Sequence, residues 1–529
     1  MTSNKKKNGV KVAAWVLVAL QAAASAFLVA MLIRFDLVPE NWLNLIVVGL
    51  TVLLGISAVC ACFRKAAAAG IVTAILFGSV CCLGGYYVNI TQKALSEMMN
   101  QDGSSNISVL SRSAEALSAS GKLGTGKMAV VDELIDPYIQ AAELEASKEW
   151  HGVEFVPCMT YNEALEALRS GSVDAILFDE GMREFMEEYY ETFELETSVI
   201  KVFAIPDSVA EPQEESEPDS EPESDPEESG EESGDVEIDD YDIPEGCFVV
   251  YLSGSDSRSK SRPGTKGRSD VNILAVVNPN TMKVLLISTP RDSYVELYNV
   301  AGPNNKDKLT HLGSYGVDYV AKTLGNLYGV KVDYIARIGF TGFISAVDAI
   351  GGIDVMSLMA FETYEGESGK SKTWKFEAGL NHLNGEEALA FARERHAFYY
   401  GDFQRGKNQM AVITALVDKV TSPEILVRYA SLLEAVQPQV YMTVPTSLIK
   451  GMVKITLDGL SAETPKRWRV YSFGINGGTG MAYCYRTGFP TEANPDPQKL
   501  SVVYPSSSDI ATAKKLIKQL LNGQTPEVP

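Results

Sequence analysis

Three arginines and two glutamines are concentrated between residues 391 and 409, in FARERHAFYYGDFQRGKNQ. A guanidinium group is a planar fork that can grip two phosphate oxygens at once, which makes Arg393, Arg395 and Arg405 candidate phosphate ligands. If the chain is extended at 393–395, alternation puts Arg393 and Arg395 on one face. QRGKNQMAVITALVDKV can form a helix, on which Arg405 and Gln409, four apart, share a face. Asp402 is placed to order these arginines or to accept a proton. Taken alone, the stretch fits a solvated charged segment equally well.

A second set with the same chemistry depends on a predicted hairpin. VNILAVVNP and MKVLLISTP are apolar, β-branched runs joined by Asn-Pro-Asn-Thr, which reads as two antiparallel strands and a turn. A turn centred on residues 279 and 280 sets Asp270 opposite Thr289. Arg268, Asp270, Arg291 and Asp292 are thereby expected at one end of the sheet, with Asp256 in the loop that follows the strand of CFVVYLSGSDSR.

Other elements would support these two sets. VDYVAKTLGNLYGV has helical periodicity, VDYIARIG is strand-like, and FTGFISAVDAIGG is a helix with Phe340, Phe343, Ile344, Val347 and Ile350 on one stripe. That stripe reads first as core and second as the wall of a pocket for a lipid tail. HLNGEEALAFARER begins as a helix behind Asn384, and WRVYSFGINGGTGMAYCYR suggests a hairpin. Upstream, KMAVV, EALEALRSGSV closed by Gly171, and DAILFD read as strand, helix and strand, with another helix near 181–191, hence a small α/β domain. SGSVDAILFDE loosely resembles the helix-to-strand step of solute-binding modules, but an accessory domain without a ligand is the simpler expectation. Residues 91–126, rich in Ser, Gly, Ala and Asn, read as a short amphipathic exit and a loose connection.

At 529 residues the chain should contain two or three domains. Residues 12–33, 42–63 and 66–90 contain no Asp, Glu, Lys or Arg. Each is long enough to cross a hydrocarbon core of ~30 Å, so three transmembrane helices are expected rather than a signal peptide. Lys5, Lys6, Lys7 and Lys11 precede the first span, and Arg64 and Lys65 separate the second from the third. Basic flanks are retained inside, so the N-terminus is expected in the cytoplasm and the chain beyond about residue 91 outside a multi-pass anchor in the cell membrane. That location argues against nucleic acid as a partner. The net charge of -22 owes most to residues 211–242, which hold seventeen Asp and Glu among Pro, Ser and Gly. Such a stretch buries too little to offset its ordering entropy and reads as a linker. The organisation expected is therefore a membrane anchor at 1–93, an accessory α/β domain at 94–206, an acidic linker at 207–243 and a larger domain at 244–525. Four scattered histidines without HExxH or CxxC spacing argue against zinc, and a Cys247–Cys484 disulfide is left open.

GSDSR at 254–258, GRSD at 267–270, PRDSYV at 290–295, Lys308, HLNGEEALAFARER at 382–395 and GDFQRGKNQ at 401–409 together resemble the LytR-CpsA-Psr family of bacterial cell-wall assembly proteins. Order and spacing match over nearly the whole larger domain. The three-span anchor and accessory domain are similar to the capsule-type branch of that family. The resemblance implies an α/β/α sandwich around a central sheet, with a lipid tail in an apolar pocket. It implies a phosphotransferase that moves a glycopolymer, capsular or teichoic-acid-like, from a polyprenyl pyrophosphate onto a peptidoglycan sugar hydroxyl. Carried over, Asp256 and Asp270 would hold Mg²⁺, with Mn²⁺ as the alternative ion. Arg268, Arg291, Arg393, Arg395 and Arg405 would grip the pyrophosphate, and Lys308 and Gln409 would shape its site. Asp292 would orient Arg291 or assist the metal, and Asp402 is the candidate base. Membrane lipid and capsule-assembly proteins are the further partners implied.

Phosphoryl transfer needs positioning and charge neutralisation more than covalent help, which suits this division of roles. Asn408 stands where many members carry a basic residue, and Lys308-Leu309-Thr310 departs from the common Lys-Ile-Asn. The alternative reading is a non-catalytic binder of polyprenyl pyrophosphate that regulates capsule or cell-wall assembly.

Overall fold

Each apolar run near the N-terminus forms one long helix: α1 (Thr2–Phe35), α2 (Glu40–Cys62) and α3 (Ala67–Met99). The computed structural model describes residues 2–99, 104–113, 126–131, 137–206, 246–255, 264–363, 373–461, 466–490 and 497–529, apart from 37, 64–65, 159, 184–185, 188–189, 191, 301, 400, 423–424 and 488. The acidic linker, the Asp256 loop and part of the helix expected near 181–191 fall outside the described residues. By length and composition Lys11–Phe35, Glu40–Cys62 and Ala67–Ala94 can each cross a membrane. Val12, Leu45 and Val72 are each about two-thirds exposed on them. So much outward apolar surface suits lipid rather than water.

The chain folds as two compact units, one of residues 1–100, 277–284 and 341–471, the other of 101–276, 285–340 and 472–529. In the second unit, β1 (Ser104–Arg112), β2 (Lys127–Val131), β3 (Glu154–Cys158), β4 (Ala175–Asp179) and β5 (Thr197–Pro206) form a sheet in the order β3-β2-β4-β1-β5. β2 is parallel to β3 and β4, whereas β1 is antiparallel to β4 and β5. Both faces are covered. Ala129, Val131, Ile176 and Phe178 pack with the helix Tyr161–Ser170, while Met128, Val130, Ala175 and Leu177 pack with Pro137–Glu149. Burial on both sides explains why β4 is apolar from Ala175 to Phe178. The expected α/β character holds here, and Gly171, at φ 77°, closes the second helix as its sequence suggests. The loose connection expected over 91–126 is corrected: α3 runs on to Met99, and β1 is an interior strand. Its serines disguise the buried Ile107, Val109 and Leu110.

The larger sheet places β11 (Tyr334–Gly339), β6 (Phe248–Ser255), β7 (Val271–Asn278), β8 (Lys283–Ser288) and the strand Arg469–Gly474 side by side in that order. β6 and β11 are parallel, and the helix Val317–Tyr328 precedes β11. The mixed α/β class and the β7–β8 pairing match expectation, but the register differs. The Thr289 amide donates to the Asn272 carbonyl at 2.9 Å, so Asn272, not Asp270, faces Thr289. The turn is longer than a two-residue turn. Asn278 caps a 3₁₀ turn, Pro279–Thr281, and Met282 follows in the left-handed region at φ 51°. The expected hairpin over 468–486 is also corrected, because Gly477–Ala482 pairs with Leu500–Pro505 instead of Arg469–Gly474. Asp509 accepts from the Asn476 amide at 2.9 Å and fixes the corner between the two strands.

In the first unit, the helix Phe340–Ala349 turns its stripe into a core. Val347 and Ile350 are buried with Ala388, Phe391 and Val412, and Phe343 packs against them. The helix Gly385–Arg393 starts with a complete capping box between Asn384 and Glu387. Cys247 and Cys484 are free thiols.

Candidate functional site

Two sets of charged residues emerge, one in each unit. In the second unit, the turn after β8 aims Arg291 back along the sheet end. Arg291 Nη1 lies 2.7 Å from Asp270 Oδ1 and Arg291 Nε lies 3.5 Å from Asp292 Oδ2. Lys308 Nζ lies 3.4 Å from Asp292 Oδ1. The two-residue difference in register accounts for this, since it brings Asp270 to Arg291 rather than to Thr289. Backbone bonds hold the turn: Thr310 donates to the Arg291 carbonyl at 2.8 Å and Leu309 to the Ser293 carbonyl at 2.9 Å. All four side chains are a quarter exposed or less. In so dry a setting charge pairs are felt more strongly than at an open surface. Asp292, lying between two cations, has the geometry of an orienting group.

Arg268 sits in the loop that leads into β7. The Asp270 amide donates to the Gly254 carbonyl at 2.9 Å, which joins the start of β7 to the end of β6. Beneath the loop lies Arg337 of β11, 1% exposed, whose Nη2 donates to the Arg268 carbonyl at 3.0 Å. Gly267 has φ 120°, and a Cβ there would come within 3.2 Å of Arg337 Nη2, so the close approach requires glycine. The sequence reading missed Arg337. The signal was available: in YIARIG the buried positions alternate, and an arginine occupies one of them.

A buried polar group adjoins this set. Asp307 accepts from His311 Nδ1 at 2.7 Å and from the Arg486 amide at 2.9 Å. Burial acts to raise the Asp307 pKa, but His311 and Arg486 together hold it below the ordinary carboxylate value. Burial depresses His311 despite Asp307. The pair is therefore a neutral imidazole donating to a carboxylate at neutral pH. Burial beside Asp307 also raises the Cys484 thiol.

In the first unit, Arg393 is the last residue of its helix, and Glu394 continues in extended conformation. Arg393 and Arg395 therefore do not alternate along a strand as expected. Glu394 is buried and its Oε1 accepts from the Ala397 amide at 2.8 Å, turning the chain. Arg395 Nε lies 3.2 Å from His396 Nε2. The next helix, Gly401–Val420, begins against this turn, where a Cβ on Gly401 would meet the Arg395 carbonyl oxygen at 2.4 Å. Arg405 and Gln409 lie one turn apart on that helix, as expected. Asp402 is in its first turn, and its side chain lies outside the described residues. Asn408 is buried, donates to the Phe391 carbonyl at 3.2 Å and accepts from Gln404 at 3.0 Å. Where the sequence shows a departure, the fold has a polar bolt between the two arginine-bearing helices.

Asp270 has one oxygen paired with Arg291, and the other is outside that ion pair. Among the described residues no three or more His, Cys, Asp or Glu side chains form a metal-holding cluster. One hard carboxylate oxygen fits Mg²⁺, which draws much of its shell from water and substrate phosphates. Asp256, the expected second ligand, lies outside the described residues.

The LytR_cpsA_psr family model matches residues 213–477. The chain is 31% identical over 252 residues to the polyisoprenyl-teichoic acid–peptidoglycan teichoic acid transferase TagT of Bacillus subtilis, covering 45% of this chain and 75% of that protein. It is 34% identical over 192 residues to the transferase TagU of Bacillus cereus, covering 36% of this chain and 58% of that protein. Among solved structures, B. subtilis TagV aligns with a TM-score of 0.40 at 25% identity, over 53% of this chain and 98% of that one.

Proposed function

This chain belongs to the LytR-CpsA-Psr family and is a transferase of that family's kind, and we propose that it moves a glycopolymer from a polyprenyl pyrophosphate onto a peptidoglycan sugar hydroxyl. The observation that carries the proposal is the chain of ion pairs Asp270–Arg291–Asp292–Lys308, formed by residues of the GRSD and PRDSYV motifs together with Lys308. TagT and TagU are named for moving teichoic acid. A teichoic-acid-like or capsular polymer is the donor class proposed here.

The hydroxyl oxygen of the acceptor attacks the glycan-bearing phosphorus, the bridging P–O bond breaks, and polyprenyl phosphate leaves. The hydroxyl proton passes to a base, for which Asp402 is the candidate. Arg268 and Arg291, and by the same resemblance Arg393, Arg395 and Arg405, carry the pyrophosphate's charge, and Lys308 and Gln409 help to orient it. Asp292 holds Arg291 and Lys308 in place beforehand, so less reorganisation is left for the reaction. Asp270, with Asp256, would hold Mg²⁺ or Mn²⁺, which when bound supplies further neutralisation of phosphate charge.

The test is transfer of a defined polyprenyl-pyrophosphate glycopolymer to peptidoglycan fragments by the full chain. Removing one preorganised charge partner of a transition state costs ~10²–10³ in rate. Arg291→Ala and Arg393→Ala should each lose at least that much. Full transfer by either variant would overturn the arginine roles.

A further inference from the structure

We infer that the carboxyl end of the small sheet is a lysine-recognition site filled in cis by Lys266, and that through it the accessory sheet positions the loop bearing Arg268 and Asp270. The inference rests on the pyrophosphate reading of those two residues.

Lys266 lies two residues before Arg268. Its Nζ is 2.5 Å from Asp179 Oδ2 and 4.6 Å from the centre of the Tyr138 ring. The two charged side chains are only 6% and 5% exposed. An ammonium so far removed from water persists only where a carboxylate and a π-face replace its hydration. Asp179 is itself held, because its Oδ1 accepts from the Gly181 amide at 2.8 Å and its own amide donates to the Tyr161 hydroxyl at 3.1 Å. Gly181 leaves room for the lysine stem, since a Cβ there would lie 2.8 Å from Lys266 Cβ.

The position of this group in the sheet matters. Asp179 ends β4, and Tyr138 and Tyr161 begin the helices that follow β2 and β3. All three groups therefore gather at the carboxyl ends of the parallel strands, where open α/β sheets receive ligands. Here the group received is a side chain of the same chain. On its far side, the loop is fixed by Arg337 and by the Gly267 amide, which donates to the Gly313 carbonyl at 2.9 Å. Arg268 is thus suspended between two anchors, one of them supplied by the accessory sheet. Lys266 and Asp179 are positioning residues, not catalytic ones.

The experiment uses the full chain in nanodiscs, comparing wild type with Lys266→Met, Lys266→Arg and Asp179→Asn. Hydrogen exchange is followed at the 264–270 amides and at β2 and β4, and steady-state transfer is measured with a polyprenyl-pyrophosphate disaccharide. Lys266→Met should speed exchange at 267–270 at least tenfold and raise the donor KM at least fivefold, with kcat changed less than twofold. Lys266→Arg should stay within twofold of wild type on each measure. Asp179→Asn should follow Lys266→Met, and if it unfolds the small sheet, Lys266→Met alone decides. Unchanged exchange and KM in Lys266→Met would overturn the inference. So would loss of β2 and β4 protection with kcat and KM altered together, since the pair would then only hold the fold. If wild type transfers nothing, the donor reading fails separately, and exchange at 267–270 decides the clamp.

Discussion

Arg291 and His311 use charge in opposite ways. Arg291 keeps its charge and shares it between two carboxylates, Asp270 and Asp292. His311 is buried and neutral, and its value lies in the bond it donates to Asp307. Because burial lowers its pKa below 6.5 in the fold, the unfolded chain binds more protons as pH falls through that value. Stability therefore falls as pH drops below about 6.5, by up to ~1.4 kcal/mol per pH unit until the folded pKa is reached. Asp307, whose folded pKa is lowered, adds its own loss only further down, below 3.8. Thermal unfolding of the full chain between pH 7.5 and 5.5 should show a falling midpoint. His311→Gln should have a flatter profile over that range, and an unchanged slope would remove His311 as its source. In the sequence this residue was one of four scattered histidines, unremarkable because its partners lie four and many residues away.

The elements hold the arginines by small polar devices. Asn408 ties the C-terminal end of the helix that Arg393 closes to the helix carrying Arg405 and Gln409. Asn408→Ala leaves the buried Phe391 carbonyl without that donor and should cost ~1–3 kcal/mol in urea unfolding. Asn408→Gln, which keeps an uncharged donor, should lose less. Equal stability of wild type and Asn408→Ala would show the bond to be idle. How much of this was legible depended on the kind of element. Asn384, Glu387 and the apolar repeat beyond them announced a capped helix, and the β7 and β8 runs announced paired strands, because local chemistry decides both. The register of that pair was misjudged by two residues because the turn after Asn278 closes through a 3₁₀ turn with a left-handed Met282. Interior β1 was hidden in serines, and the partner of Gly477–Ala482 lies beyond a corner set by Asp509. Lys266 carried no local signal, since only the tertiary approach of Asp179 and Tyr138 gives it meaning.

At the scale of the molecule, the question is which end of the helix bundle meets residues 433–457. Within the first unit, Trp42 Nε1 donates to the Leu457 carbonyl at 3.3 Å, and Lys454 Nζ lies 2.7 Å from Asp36. Phe35, Ala94 and Leu433 form one apolar cluster, flanked by Val88, Val436 and Ile449. The end of α1, the start of α2 and the end of α3 therefore meet residues 433–457 at one end of the bundle. Lys5, Lys6, Lys7 and Lys11 fall within the first ten residues of α1, at the other end of the bundle, and in the sequence Arg64 and Lys65 fall between α2 and α3. If basic flanks are retained in the cytoplasm, as the sequence leads one to expect, residues 433–457 lie outside, on the side where the proposed donor and peptidoglycan would be met. An enzymatic reporter active only outside the cytoplasm should be active when fused after residue 100 and silent when fused after Arg64. The reverse pattern would put the arginines on the wrong side of the membrane for peptidoglycan, and the proposed transfer would fall with the topology.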